Sequence, residues 1–310
     1  MKENNFLNKA IIITGPTATG KTAVSVELAL KLDAEIISAD SKQVYKGFPI
    51  ASAVPTKEEM KGVVHHFIEI LSPDENFTAG IFGSQAREKI KEIFDRKKNV
   101  IVSGGSGLYL NALMGGLFEK DVRDENIRNN LKNLLKEKGK EYLYNELMKA
   151  DKETAEKMTP DFSRRVIRAL EVYYASGKKM SDIQKELPKI DIEFRVFGLL
   201  MDREYLYERI NRRTDKMIQE GLVDEVKSLI ERGYDYRQHN ALNTVGIKEV
   251  FGYLEGEYDY NRMVELIKQN TRRYAKKQMT WYRKVEGLIW IEVGRNDTPE
   301  IIADRIYEKI

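Results

Sequence analysis

The chain has 310 residues, a length typical of one large domain or two moderate ones. Hydrophobic residues make up 42% of it and charged residues 33%, a mixture that can bury a sizeable core and that excludes global disorder. The lack of cysteine excludes disulfides, thiolate zinc sites and a cysteine nucleophile. No apolar run approaches the length of a membrane span, and no signal-peptide core follows the first residues. We therefore expect a cytoplasmic monomer without membrane contact.

Short apolar runs alternate with amphipathic segments along much of the chain. These runs are typical of strands buried on both faces, and they predict strands over residues 9–13, 35–38, 100–102, 194–200 and 288–293. A helix is predicted over residues 21–32, and Thr56 with Glu59 forms a capping box that opens another. Strands that alternate with helices predict an α/β fold with a parallel sheet. Ligands of such sheets bind at the carboxyl ends of the strands.

Residues 118–188 follow a different pattern, because this stretch is highly charged, has helical periodicity and contains no convincing strand. It is typical of a helical insertion between two strands of the sheet. We therefore predict a core domain of residues 1–117 and 195–310, interrupted by a helical domain of residues 118–194.

A glycine-rich turn lies between the first predicted strand and the first predicted helix, with the sequence Gly15-Pro16-Thr17-Ala18-Thr19-Gly20-Lys21-Thr22. It fits the pattern G-x-x-x-x-G-K-[ST], in which backbone N–H groups and a helix N-terminus converge on phosphate oxygens. Lys21 supplies a point charge, and the Thr22 hydroxyl can hold Mg²⁺. We predict a phosphate site here rather than a plain tight turn. The loop alone does not distinguish a nucleoside triphosphate from a prenyl diphosphate.

The motifs that accompany this loop resemble, in the same order, those of the tRNA dimethylallyltransferase (tRNA isopentenylpyrophosphate transferase) family. They are Asp40-Ser41-Lys42-Gln43-Val44-Tyr45, Val54-Pro55-Thr56, His65-His66-Phe67-Ile68-Glu69, Gly104-Gly105-Ser106-Gly107-Leu108-Tyr109, Arg165–Val172, Gly246–Glu249 and Asn270–Trp281. The resemblance runs from about Ile11 to Arg283. It departs from the family pattern where Ser106 replaces threonine, where Ile247 replaces tyrosine and where Asp161-Phe162 replaces an Asn-Asp pair.

The resemblance implies a P-loop NTPase-like parallel sheet core with an inserted all-helical domain that grips the anticodon stem-loop of tRNA. It also implies a reaction, in which a dimethylallyl group passes from dimethylallyl diphosphate to N6 of the adenosine at position 37, directly 3′ of the anticodon. Diphosphate is released, and Mg²⁺ is the implied cofactor.

Three residues are predicted to carry this chemistry. Asp40 is the candidate base for the N6 proton, with a Mg²⁺ ligand or a helix cap as its alternatives. Arg213 lies on the apolar face of a predicted helix over residues 204–219, where an arginine is costly unless it is paired with an anion. The family match favours diphosphate as that anion over a structural carboxylate, while a structural role stays open for Arg209. Ser106 is predicted to bind the bridging oxygen of the donor or the acceptor nucleotide, or to cap a helix.

Two basic groups are predicted to bind tRNA. Lys268, Arg272 and Lys276 recur every four residues in a stretch where almost every charge is positive, which favours an RNA surface over a solvated helix face. The resemblance assigns tRNA binding to further residues, namely Asp40, Ser41, Lys42, Gln43, Ser106, Arg128, Arg164, Arg165, Val166, Ile167 and Arg168. His65 and His66 have no third metal ligand at a suitable spacing and are interpreted as packing or hydrogen-bonding residues.

Three other functions share some of these features. A small-molecule kinase that uses ATP needs the phosphate loop but no RNA surface. A prenyltransferase of free adenine nucleotides does not need the large helical insertion. An RNA-binding protein with a relic loop does not need intact Lys21, Thr22 and Asp40.

Overall fold

A parallel six-stranded sheet runs through the computed structural model, which describes residues 9–115, 124–185 and 190–310. The described strands are β1 (Lys9–Thr14), β2 (Ala34–Ser38), β3 (His65–His66), β4 (Asn99–Ser103), β5 (Glu193–Met201) and β6 (Ile289–Val293). Their order across the sheet is β3-β2-β4-β1-β5-β6, and each neighbouring pair is parallel. The predicted α/β fold with a parallel sheet is confirmed. All five predicted strands are present, and only the two-residue strand β3 was not predicted.

Helices connect the strands. In chain order, the described helices are α1 (Lys21–Leu32), α2 (Pro49–Ser52), α3 (Lys57–Met60), α4 (Ala79–Asp95), α5 (Gly107–Leu113), α6 (Glu125–Ala150), α7 (Lys152–Ala155), α8 (Ser163–Ser176), α9 (Met180–Lys185), α10 (Arg203–Gln219), α11 (Leu222–Glu231), α12 (Ile247–Leu254), α13 (Tyr260–Tyr282) and α14 (Pro299–Tyr307). The helix predicted over residues 21–32 has the predicted bounds. The capping box is also present, because Thr56 Oγ1 accepts from the Glu59 backbone N–H at 3.2 Å and Glu59 Oε2 accepts from the Thr56 N–H at 2.9 Å.

The first of two compact units contains the sheet and consists of residues 9–78, Gln85–Leu110 and Asp191–Ile310. Apolar side chains of α1, α10 and α14 pack with those of the central strands, among them Leu28, Ile210 and Ile302. Every residue of β2 is buried, as are all but the first of β1. Burial on both faces explains why these strands are continuous apolar runs in the sequence.

The second unit consists of Ala79–Ser84 and Asn111–Ile190, and its described part is helical. Apolar side chains of α6 and α8 form its core, including Leu131, Leu147 and Leu170. Asp151 is buried where α6 ends, and its carboxylate accepts hydrogen bonds from the Thr154 and Ser181 backbone N–H groups. This carboxylate therefore ties α7 and α9 to the end of α6. The boundary predicted between residues 117 and 118 lies outside the described residues.

Among the described helices, none combines the length and the apolar character that a membrane span requires.

The carboxyl ends of β1, β2 and β4 meet at Gly104, a position where no side chain would fit. Gly104 follows β4, its N–H donates to the Ile13 carbonyl at 3.2 Å, and the Ala39 N–H donates to the Ser103 carbonyl at 2.8 Å. A Cβ at Gly104 would lie 2.2 Å from the carbonyl oxygen of Ala39. Only glycine therefore allows the turns after β2 and β4 to lie against each other.

We predict that Gly104→Ala lowers the free energy of unfolding by about 3 kcal/mol, because the added methyl group clashes with fixed backbone. Gly287→Ala is the matched control. Gly287 has a φ of +70° but open space around its Cβ position. Gly287→Ala should therefore lose only about 1 kcal/mol, the cost of placing alanine in the left-handed backbone conformation. Urea denaturation of both variants measures the difference, and equal losses would contradict this explanation of Gly104.

Candidate active site

A cleft of about 550 Å³ lies within the first unit. Residues from the glycine-rich loop, from the turns after β2 and β4, and from α10, α12 and α13 line it. The structure thus brings together residues that the sequence analysis had selected separately, namely Thr17, Asp40, Ser41, Lys42, Ser106 and Arg213. The cleft is at the carboxyl edge of the sheet, where parallel sheets bind their ligands.

The glycine-rich loop curls between β1 and α1 with its lysine folded inward. Lys21 Nζ donates hydrogen bonds to the carbonyl oxygens of Gly15 and Pro16, each at 2.9 Å. Burial, together with the positive charge of Arg213, lowers the pKa of Lys21 to about 8, although the Asp40 carboxylate opposes the shift. The ammonium group is therefore already at the loop, where an anion could replace these two carbonyl contacts.

Two arginines of α10 hold the loop from outside. Arg209 Nε donates to the Ala18 carbonyl at 2.8 Å, and Ala18 has a φ of 67°, in the left-handed region that residues other than glycine rarely adopt. This contact supports the structural role that the sequence left open for Arg209.

Arg213 is the second of these arginines, and it donates from Nη1 to Thr17 Oγ1 at 3.1 Å. Within the described residues Arg213 has no carboxylate partner, so the alternative of a structural ion pair finds no support there. Burial lowers the pKa of Arg213 and the charge of Asp40 opposes the shift, but a guanidinium stays charged at neutral pH. The arginine is thus a half-buried cation that faces the cleft beside the loop.

Asp40 follows β2 and lines the cleft. Its Oδ1 accepts from the backbone N–H groups of Lys42 at 2.9 Å and Gln43 at 3.5 Å, so one oxygen caps the turn that follows. Residues 41–44 form a turn and no helix begins there, so the helix cap considered as an alternative is not found, and Asp40 makes a turn cap in its place. It occupies only one oxygen, and among the described residues Oδ2 accepts no hydrogen bond. A single aspartate can cap the turn and still present an oxygen to a ligand.

The side chains of Lys42 and Gln43, which follow Asp40 in the turn, are both hydrogen-bonded within the protein. Lys42 Nζ donates to the carbonyl oxygens of Asn240 and Ala241, and burial lowers the pKa of Lys42 to about 8. Gln43 bonds to Ser38 and to the Ala53 carbonyl through its side-chain amide. Both polar groups therefore support the turn.

Ser106 lies in the other turn, after β4, and lines the cleft beside the Asp40 turn, since its N–H donates to the Ala39 carbonyl at 3.3 Å. The Leu110 N–H donates to the Ser106 carbonyl at 3.0 Å, so Ser106 stands at the start of α5. Its position fits both the predicted ligand contact and the helix-capping alternative.

The basic face of α13 divides into two rows. Lys268 forms an ion pair with Asp215, and Arg272 donates to Asn211 Oδ1 at 2.6 Å, so these two cations face α10. Lys276 is exposed. Arg273 and Lys277, on the adjacent row, line the cleft. Sequence spacing showed both rows but gave no sign of which one α10 covers.

The basic residues predicted in the helical unit also differ in exposure. Arg164 and Arg165 are exposed, whereas Val166 and Ile167 are buried in the core of that unit. Arg168 bonds to the fully buried carboxylate of Glu171 at 3.0 Å, and Arg128 lies 4.0 Å from the same carboxylate. The sequence analysis missed Glu171, although a carboxylate within an arginine-rich helix is a signal for such pairing.

The remaining residues singled out in the sequence are His65 and His66, interpreted as packing or hydrogen-bonding residues, and Thr22, predicted as a Mg²⁺ ligand. His65 Nδ1 lies 2.9 Å from the Val63 carbonyl, and His66 Nε2 lies 2.7 Å from Glu35 Oε2. Thr22 is the second residue of α1, and its hydroxyl makes no hydrogen bond within the described part of the chain. A Thr22 hydroxyl and an Asp40 carboxylate are oxygen donors of the kind that Mg²⁺ uses together with water and phosphate oxygens.

Fold and cleft define a parallel α/β protein whose cationic cleft combines a glycine-rich loop, an arginine and an aspartate. Comparison with known proteins then shows its relatives. The family model described as IPP transferase matches residues 43–285. The chain is 43% identical to the tRNA dimethylallyltransferase of Alkaliphilus oremlandii, over 97% of this chain and 96% of the relative.

Solved structures give the same result. The tRNA isopentenylpyrophosphate transferase of Bacillus halodurans is 39% identical with a TM-score of 0.71, over 97% of this chain and 96% of that one. A eukaryotic dimethylallyltransferase acting on tRNA is 30% identical with a TM-score of 0.82, over 97% of this chain and 77% of that one. The chain belongs to the IPP transferase family, which confirms the resemblance, and it is an enzyme of that kind.

We predict that inorganic diphosphate binds more weakly as the pH rises through about 8. The charged form of Lys21 predominates below its lowered pKa of about 8 and is lost above it, and an anion prefers the charged form. Calorimetric titration between pH 7 and 9 measures the effect. Lys21→Met should remove the component due to this residue, since only the ionisation of diphosphate itself then remains. An identical pH profile in the wild-type protein and in Lys21→Met would contradict the assignment.

Proposed function

We propose that this enzyme transfers a dimethylallyl group from dimethylallyl diphosphate to N6 of the adenosine at position 37 of tRNA and releases diphosphate. The observation that carries the proposal is one cleft that holds an aspartate with an uncommitted oxygen beside a loop and an arginine suited to diphosphate. The names of the relatives support the substrates, since they are tRNA dimethylallyltransferases and a dimethylallyltransferase acting on tRNA. We also place the enzyme in the cytoplasm, as a monomer.

The donor is proposed to bind with its diphosphate at the Gly15–Thr22 loop, in a core related to P-loop proteins. Backbone N–H groups of the loop and the N-terminus of α1 face an anion there, and Lys21 and Arg213 add full charges. Negative charge on the bridging oxygen grows as the C–O bond breaks. Fixed cations at that position stabilise the leaving group more than the intact donor, which is the requirement for catalysis.

The acceptor amine needs help because its lone pair is delocalised into the adenine ring. Asp40 is proposed to accept a hydrogen bond from the N6–H and to take that proton as the new bond forms. The balance is simple. A C–N bond forms between N6 and the first prenyl carbon, the C–O bond to diphosphate breaks, and its electron pair leaves with diphosphate. Ser106 is proposed to hold either the bridging oxygen or the acceptor nucleotide.

Mg²⁺ is proposed as the cofactor, with Thr22 as its ligand from the loop. Bound to the diphosphate, the ion would neutralise part of its charge. The described residues hold no cluster of three or more acidic, histidine or cysteine ligands, so most of the oxygens around the ion would come from water and diphosphate. Inorganic diphosphate titrated with and without Mg²⁺ tests the role of Thr22, because Thr22→Val should reduce the gain in affinity that Mg²⁺ provides.

The tRNA is proposed to contact the exposed cations of both units. In the first unit these are Lys276 on the outside of α13 and Arg273 and Lys277 in the cleft, because Lys268 and Arg272 already have partners in α10. In the helical unit they are Arg164 and Arg165, with Arg128 and Arg168 held by Glu171. The anticodon stem-loop suits this site, since its unpaired bases can leave the stack without the cost of opening a duplex.

One incubation tests the proposed function against a kinase. The protein is mixed with unmodified tRNA, Mg²⁺ and either dimethylallyl diphosphate or ATP, and the RNA is then weighed by mass spectrometry. The proposal expects a gain of one dimethylallyl group with the prenyl donor and no mass change with ATP. ADP released in proportion to product would overturn it.

We predict that Asp40→Asn lowers the single-turnover rate of transfer by about 10²-fold or more, because the amide cannot take the proton. The asparagine carbonyl can still cap the turn as Asp40 Oδ1 does, so the fold should persist. Affinity for tRNA should change little. Rates near those of the wild-type enzyme would show that Asp40 is not the base.

We predict that Arg273→Ala with Lys277→Ala flattens the slope of log affinity against log salt by about 1–2 units, since each neutralised contact to single-stranded RNA contributes about 0.7. Arg272→Ala with Lys276→Ala is the matched control. It should flatten the slope by about 0.7 through Lys276, because Arg272 is half-buried and held by Asn211 at 2.6 Å, whereas Arg273 is exposed and donates to Asn270 at the longer distance of 3.2 Å. Filter binding of one tRNA at several salt concentrations compares the pairs. A larger effect in the second pair would place the RNA on the α10 side of α13 instead.

A further inference from the structure

One side chain near the end of α13 bonds to both of the glycine-containing turns at the cleft. Gln278 Oε1 accepts from the Thr17 backbone N–H at 2.9 Å, and Gln278 Nε2 donates to the Gly105 carbonyl at 2.9 Å. A backbone N–H can only donate and a carbonyl can only accept, so these partners fix the orientation of the amide. The side chain is buried, with 8% of its surface exposed.

A second side chain, one turn further along α13, makes a parallel connection. Tyr282 is almost completely buried, and its hydroxyl lies 3.1 Å from the Gly15 carbonyl and 3.0 Å from the Gly105 carbonyl. We call Gln278 and Tyr282 together the α13 bracket. Each of its members joins the phosphate loop to the turn that carries Ser106.

Two glycines of the turn after β4, Gly105 and Gly107, show how closely this turn packs against α13. A Cβ at Gly105 would lie 2.6 Å from Gln278 Nε2, and a Cβ at Gly107 would lie 2.5 Å from the Trp281 ring. The turn after β4 therefore lies directly against α13. Neither member of the bracket lines the cleft, so the bracket acts on the site through the loop and the turn that it contacts directly.

We propose that Gln278 is a positioning residue that sets the distance between the bound donor and the acceptor base. This inference rests on the proposed function, in which the loop holds the diphosphate, and on the second of the two roles proposed for Ser106, that of holding the acceptor nucleotide. The two reacting atoms must approach to about 3–3.5 Å, and a displacement of about 1 Å can cost about 100-fold in rate. Gln278 also accepts from the Thr17 N–H, so this amide is engaged by the protein itself, as is the Thr19 N–H, which donates to the Pro16 carbonyl at 3.4 Å.

Gln278→Met tests this role, because methionine keeps the length and approximate volume of glutamine and removes both hydrogen bonds. We expect kcat, with both substrates saturating, to fall about 10–100-fold. The dissociation constant for inorganic diphosphate should stay within about threefold of the wild-type value, because Lys21 and Arg213 remain in place. Gln269→Met is the matched control on the same helix, since the side chain of Gln269 makes no hydrogen bond in the described part of the chain. It should behave as wild type.

Tyr282→Phe is the second variant, and it decides the matter if Gln278→Met does not fold. It keeps the ring and removes the hydroxyl that joins the two carbonyls, so the same fall in kcat at unchanged diphosphate affinity is expected. A folded Gln278→Met or, failing that, Tyr282→Phe with wild-type kcat would overturn the proposal. Loss of diphosphate affinity at unchanged kcat would overturn it too, because Gln278 would then act in donor binding.

A readout without substrate separates this proposal from the proposed function. Hydrogen exchange of the backbone amides in residues 15–20 and 104–107 should be faster by about tenfold or more in Gln278→Met, because the bracket no longer restrains either turn. If the wild-type protein does not prenylate tRNA, the proposed function fails, and exchange alone then decides whether the bracket restrains the turns. Unchanged exchange in both segments would overturn the bracket whatever the activity.

Discussion

The site depends on the contact between two backbones at the carboxyl edge of the sheet. Gly104 lies so close to the Ala39 carbonyl that no side chain fits between them. This contact places the turn of Ser106 beside the turn of Asp40, and the bond from the Gly104 N–H to the Ile13 carbonyl brings the end of β1 to the same place. A phosphate loop, a carboxylate and a hydroxyl from three separate strands can meet only if that approach is maintained.

The electrostatics of the cleft follow from this crowding. Lys21, Lys42 and Arg213 are half-buried, and burial lowers the pKa of each. Before any ligand binds, Lys21 and Lys42 are stabilised by backbone carbonyl oxygens. Buried cations held by neutral carbonyls gain more from an anion than exposed ones do, because less solvent has to be displaced at the moment of binding. A diphosphate is an anion of suitable charge for this cleft.

Much of the fold could be predicted from the sequence because its strands are buried on both faces and form unbroken apolar runs. The two-residue strand β3 could not, since His65-His66 carries no apolar pattern. The loop, Asp40 and Arg213 could be selected by motif and by the cost of a buried arginine. The contacts that these and other site residues make in the folded protein could not be predicted from the sequence. Whether α10 covers Lys268 and Arg272 or Arg273 and Lys277 depends on how two helices dock, and local spacing does not encode it. Gln278 lies within the Asn270–Trp281 motif, but its two bonds join positions far apart in the chain, which the motif does not reveal.

The identity of the modified nucleoside tests the central claim most directly. Transfer RNA that has reacted with dimethylallyl diphosphate is digested to nucleosides and, in parallel, to anticodon-loop fragments, and both are analysed by mass spectrometry. We expect a single product, adenosine with a dimethylallyl group on N6, in the fragment that contains position 37. A prenyl group on another base or another atom, or a phosphorylated product in its place, would contradict it.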